Sequence, residues 1–84
     1  MDVDVVHLPD RSRFETEVEG STAYLTYERR GGTVAMTHTI VPYEIEGRGI
    51  AGELTRTAVE WARSEQLDIY PQCSYVRSWL HKHG

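Results

Sequence analysis

Val41-Pro42-Tyr43-Glu44-Ile45-Glu46-Gly47-Arg48-Gly49-Ile50-Ala51 is where the pattern of the chain changes. Upstream of it apolar and polar residues alternate as in strands, and downstream apolar residues recur about every 3.6 positions as in a helix. A strand, a glycine-containing turn and a helix N-terminus in succession make an anion cradle. Gly47 and Gly49 lack a Cβ and tolerate positive φ, so phosphates can approach backbone N–H groups that the first helical turn leaves unpaired. Pro42 removes a ladder donor at the strand end and encourages the strand to diverge from its neighbour. A phosphate-bearing cofactor is the leading expectation.

Working upstream, Arg13 to Val18 alternates and stops at Glu19-Gly20, and Thr22 to Tyr27 places Ala23, Leu25 and Tyr27 on one face. These form a hairpin through Glu19-Gly20-Ser21. Arg29-Arg30-Gly31-Gly32 gives a second tight connection, with Arg29 and Arg30 as an exposed polar tip, and Thr33 to Val41 is again rich in β-branched residues. Val3 to Leu8 is a candidate edge strand ended by Pro9. Downstream, Ile50, Leu54, Ala58 (or Thr57), Trp61 and Ala62 form one helical stripe, with Glu53, Arg56, Glu60 and Arg63 largely off it. Leu67 to Tyr70 is a short strand ended by Pro71, and Ser74 is a candidate N-cap for a last helix carrying Tyr75, Val76, Trp79 and Leu80. Both tryptophans are expected in the core. The order is β-β-β-α-β-α, an α/β domain over residues 1–84.

The chain has 84 residues, 39% of them hydrophobic and 26% charged. No apolar run approaches the roughly 20 residues of a membrane span. Met1-Asp2-Val3-Asp4 has neither the basic start nor the apolar core of a secretory signal, so a cytoplasmic location is expected. The net charge of −4 argues against nonspecific binding to nucleic acid. A single cysteine, Cys73, excludes an internal disulfide and, with only His81 and His83 as neighbouring donors, makes a metal centre a poor reading. The chain ends at His83-Gly84 with no helix-ending feature beyond the glycine, which leaves room for a short further tail.

Several stretches together resemble one family. Arg13-Phe14-Glu15, His38-Thr39-x-Val41-Pro42, Gly47-Arg48-Gly49-Ile50-Ala51, Ala62-Arg63 and Pro71-x-Cys73-Ser74-Tyr75-Val76 are similar to the GNAT-type N-acetyltransferases, in particular their smallest single-domain branch. The resemblance covers nearly the whole chain. It implies a minimal GNAT-like fold: a mainly antiparallel sheet with splayed strands, one long helix after the cofactor loop and one C-terminal helix. It also implies acetyl-coenzyme A wedged between the strand ending at Val41 and the strand Leu67–Tyr70. The pyrophosphate would rest on Gly47 to Ala51, and the pantetheine arm would pair with the backbone of Ile40 and Val41. The family pattern of Gln or Arg, two residues, Gly, one residue, then Gly or Ala falls on Glu46, Gly49 and Ala51. Glu46 departs from it, which leaves the pyrophosphate to backbone amides and Arg48.

The implied reaction is transfer of acetyl to an amine, such as a protein lysine or N-terminus, by a monomer or weak homodimer. Cys73 follows the second splayed strand. It is either a small buried hydrophobe or a thiol beside the acetyl group, activated by a helix N-terminus. Tyr75 falls near where the family has a tyrosine close to the leaving thiolate, against the plainer reading of a ring packed on the sheet. His38 is either a general base or an ordinary strand residue, and Glu44 and Glu46 are either amine-orienting or simply solvated. A free backbone N–H near Val41 would be the donor to the carbonyl oxygen. The alternative from another class is a coenzyme A binding module or sensor that works with a partner. A redox-sensing thiol protein, resting on Cys73 alone, is a third reading.

Overall fold

The computed structural model describes residues 3–83. Met1, Asp2 and Gly84, the last read as a helix-ending glycine, lie outside the described residues. Five strands, β1 (Val6–Leu8), β2 (Arg13–Val18), β3 (Ser21–Arg30), β4 (Thr33–Ile40) and β5 (Asp68–Tyr70), form one sheet in chain order. The first four are antiparallel, and β5 lies parallel to β4 after a crossover through helix α1 (Ile50–Ser64). Helix α2 (Ser74–His83) follows β5. The α/β fold with a mostly antiparallel open sheet and two helices is the one expected for a minimal GNAT-like domain.

Burial follows the alternation. Phe14, Thr16 and Val18 of β2, Ala23, Leu25 and Tyr27 of β3, and Val34 and Met36 of β4 are buried on one face. Against them α1 lays Ile50, Leu54, Thr55, Ala58, Val59 and Ala62, and α2 adds Val76. The α1 stripe is therefore wider than its apolar spacing predicts. Thr55 enters the core because its hydroxyl donates to the carbonyl of Ala51 at 2.8 Å, which satisfies the polar atom inside the helix. Trp61 and Trp79 are only half-buried at the margin of the core. Trp61 meets His7 and Phe14 edge to face and Tyr27 at a tilt, so β1, shorter than the expected Val3–Leu8, covers that corner with a histidine.

One irregularity decides which side chains meet. Thr26 pairs with His38 and Tyr27 with Met36, so Thr37 is an extra residue in β4, a β-bulge. The bulge reverses the alternation. Beyond it Thr39 sits opposite buried Leu25 on the helix face, while His38 and Ile40 sit opposite Thr26 and Tyr24 on the other face.

Candidate functional site

The strands β4 and β5 pair only at Thr33 with Asp68, Val34 with Ile69 and Ala35 with Tyr70. One more bond, from the N–H of Cys73 to the carbonyl of Met36 at 2.9 Å, closes the seam. Pro71 has no N–H to continue the ladder, and the N–H of Gln72 turns back onto the carbonyl of Tyr70 at 3.0 Å. Past Met36, β4 runs on to Ile40 without β5 beside it. The expected splay is present.

Past the end of β4 lies a slot of about 420 Å³, lined by Val41, Ile45, Glu46, Gly47, Gly49, Ile50, Ala51, Gly52 and Tyr75. Its size falls in the range of small-molecule sites. A short 3₁₀ turn at Tyr43–Ile45 drops Ile45 into the core, and the chain then climbs back through Gly47 and Gly49, at φ +80° and +74°. These left-handed angles strain any residue with a Cβ, which is the reason for glycine here. Gly49 is the N-cap of α1 and no side chain caps the helix. The first intrahelical bond runs from the N–H of Glu53 to the carbonyl of Gly49. The amides of Ile50, Ala51 and Gly52 therefore have no helical acceptor and lie at the positive end of the dipole, in the wall of the slot. That arrangement fits a pyrophosphate by backbone alone, since the one charged side chain in the lining is Glu46.

Of the residues expected to hold the cofactor, Val41, Glu46, Gly47, Gly49, Ile50 and Ala51 line the slot. Ile40 does not, being 45% exposed on the opposite sheet face. Arg48 also lies outside the lining. Its guanidinium makes a bidentate pair with Glu19 at 2.6 and 3.2 Å, which raises its own pKa and lowers that of Glu19. Tyr75 lines the slot from α2, 41% exposed, its hydroxyl beside Gly52, rather than packed on the sheet.

Cys73, also expected to hold the cofactor, lies outside the slot lining, two residues before Tyr75. The N–H of Arg77 bonds the carbonyl of Cys73 at 3.1 Å, so Cys73, not Ser74, holds the N-cap position of α2. Its Sγ lies 3.6 Å from Thr39 Oγ1, the thiol donating to the hydroxyl. Burial pushes the thiol pKa up. In the thiolate form the sulfur accepts hydrogen bonds from the Val76 N–H, the Thr39 hydroxyl and the N–H groups of Tyr75 and Thr39, and these outweigh burial and hold the thiol below its ordinary value. His38, exposed on the other face with Thr26, is not brought together with Cys73. Thr39, Ile45, Gly52 and Glu19 escaped the sequence reading. For Ile45 a signal was available, a lone isoleucine in a polar loop.

Residues 13–84 match the profile of the family described as GCN5-related N-acetyl-transferase. The chain belongs to that family. Among relatives of this GCN5-related chain are proteins named Protein NATD1 from Xenopus tropicalis and Danio rerio. Each is 34% identical over 79 residues, covering 90% of this chain and 72% of the relative. Protein NATD1 of Gallus gallus is 31% identical over 81 residues, covering 93% and 74%. The family match begins at β2 and takes in the bulged β4, the glycine turn that lines the slot and the Cys73 corner.

Proposed function

We propose that the protein is an N-acetyltransferase that binds acetyl-coenzyme A in the slot and transfers acetyl to an amine. One observation carries the reading. The uncapped amides of the α1 N-terminus line a slot that reaches from Val41, just past the end of β4, to Tyr75 of α2. Gly47 to Ala51 would hold the pyrophosphate, the free edge of β4 near Val41 the pantetheine arm, and the Cys73 corner would face the acyl end. The cofactor supplies an activated acetyl thioester. Thr39 and the amides of Tyr75 and Val76 favour the thiolate of Cys73, so this residue can receive an acyl group or exchange a proton there. His38 lies across the sheet from Cys73, so the amine would give up its proton to solvent rather than to His38. The slot stays open beside Tyr75, which is 41% exposed, and an unenclosed acceptor side supports a macromolecular amine such as a protein lysine or N-terminus.

A second reading, a coenzyme A binding module without turnover, draws on the slot lining. Glu46 is its only acidic or basic side chain, and His38 lies on the opposite face of the sheet from Cys73. Calorimetric titration with acetyl-coenzyme A and coenzyme A, followed by release of free coenzyme A in the presence of a lysine-bearing peptide, tests both. Binding with turnover is the expected result, and binding without turnover transfers the case to the second reading. No binding of either ligand would refute both.

A further inference from the structure

The turn between β2 and β3 grips the cradle segment at two points. Arg48 Nη1 and Nη2 donate to Glu19 Oε2 and Oε1 at 2.6 and 3.2 Å, and Ser21 Oγ donates to Glu44 Oε2 at 3.2 Å. Glu19 and Ser21 flank Gly20 in a two-residue hairpin loop, with Glu19 held at φ +51°. That is an unfavourable angle for a residue with a Cβ. Between buried Ile45 and buried Ile50 the segment has two left-handed glycines and no side-chain cap. Glycine brings no rotamer and no Cβ to restrict the backbone, so the direction of the amides has to be fixed from elsewhere.

Arg48 sits in the middle of this segment. Its neighbours Gly47 and Gly49 line the slot, and it does not. With its charge matched by Glu19, the slot offers an anion only amides and a helix dipole, and such donors depend on orientation.

We infer that Arg48 is a strut rather than a phosphate ligand, and that Glu19 acts through it as a positioning residue for the amides of Gly47 to Ala51. The inference rests on the cofactor reading above and adds to it which contact orders the cradle. A different role for the same pair has the opposite sign. If Arg48 were a phosphate ligand held off by Glu19, removing the carboxylate would free it to bind.

The test is titration of Glu19→Gln, Arg48→Gln, the double variant and the swap Glu19→Arg with Arg48→Glu, using coenzyme A, with backbone NMR order parameters of the free proteins. For a strut, each single variant weakens binding by about two- to fivefold, the scale of an exposed ion pair. The double variant is no worse than either single one, and the swap recovers part of the loss. Order parameters at Gly47 to Ala51 fall in both single variants while those of β3 and the later turns of α1 are kept. Tighter binding by Glu19→Gln beside weaker binding by Arg48→Gln overturns the inference. So do unchanged order parameters at Gly47 to Ala51. If the unaltered protein binds no coenzyme A, the cofactor reading fails, and the order parameters alone then decide whether the strut stands.

Discussion

Replacing Ala51 by Glu sets a carboxylate on the second residue of α1, in the wall of the slot. Two effects of opposite sign follow from that position. For folding, the carboxylate meets the positive end of the helix dipole and unpaired amides, a gain of about 0.3–1 kcal/mol. For binding, the same carboxylate opposes an incoming phosphate. At a separation of about 4 Å the repulsion is about 1 kcal/mol in water-like surroundings and about 4 kcal/mol at the effective dielectric of a protein surface. Ala51 is half-buried and the rim at Glu46, Gly47 and Gly49 is exposed, so the lower part of that span applies. A loss of about 1–2.5 kcal/mol corresponds to about five- to seventyfold weaker binding. Titration calorimetry with coenzyme A and thermal denaturation of the free protein read the two effects separately, with Ala51→Gln as a neutral control of similar size. The expected pattern is weaker binding with an equal or higher melting temperature, and a clear excess of Glu over Gln. If Glu weakens binding no more than Gln does, the cradle is not where the phosphates sit.

Three other outcomes follow. Thr39→Val removes a hydroxyl that favours the Cys73 thiolate, so alkylation of Cys73 by iodoacetamide at neutral pH should slow, with Thr39→Ser restoring most of the rate; an unchanged rate would detach Thr39 from the thiol. Burial holds the pKa of His7 below its ordinary value of 6.5, so its neutral form stabilises the fold fully above pH 6.5, and that contribution is lost as the pH falls below it. Urea midpoints taken between pH 8 and pH 5 should drop for the natural protein and less for His7→Gln, and parallel curves would rule His7 out as the source. Leu54→Ala empties a fully buried position and should cost about 2–5 kcal/mol in denaturant unfolding. For a domain of this size, with about 4–13 kcal/mol in all, that is a large part of the whole; a cost under about 1 kcal/mol would place Leu54 outside the core.

Much of the fold was legible because the chain punctuates itself. Periodicity switches from two to 3.6 at the glycine pair, Glu19-Gly20 ends one strand, and Pro71 stops β5. The glycine cradle and the Cys73 corner were legible as well, from short-range chemistry and from a family pattern. What escaped depends on register and on distant partners. No residue type announces the bulge at Thr37, yet that one extra residue turns His38 outward and Thr39 toward the thiol. Arg48 reads as a phosphate cation until Glu19, far off in sequence, is brought beside it. Thr55 looked polar because a helix carbonyl that satisfies its hydroxyl cannot be seen in a side-chain pattern. Ser74 and Cys73 differ by one position in the cap, the scale on which helix starts are uncertain.

The parting of β4 from β5 also has a colloidal side. Beyond Met36 the β5-facing edge of β4 offers main-chain donors and acceptors with no strand beside them, next to exposed Ile40. Such an edge is a template for another extended chain. A ligand arm lying along it would occupy the same groups, so under the proposed cofactor reading the empty protein would be the self-associating form and the loaded one the dispersed form. Shelf life in concentrated solution should then track occupancy of the slot more closely than it tracks the unfolding free energy.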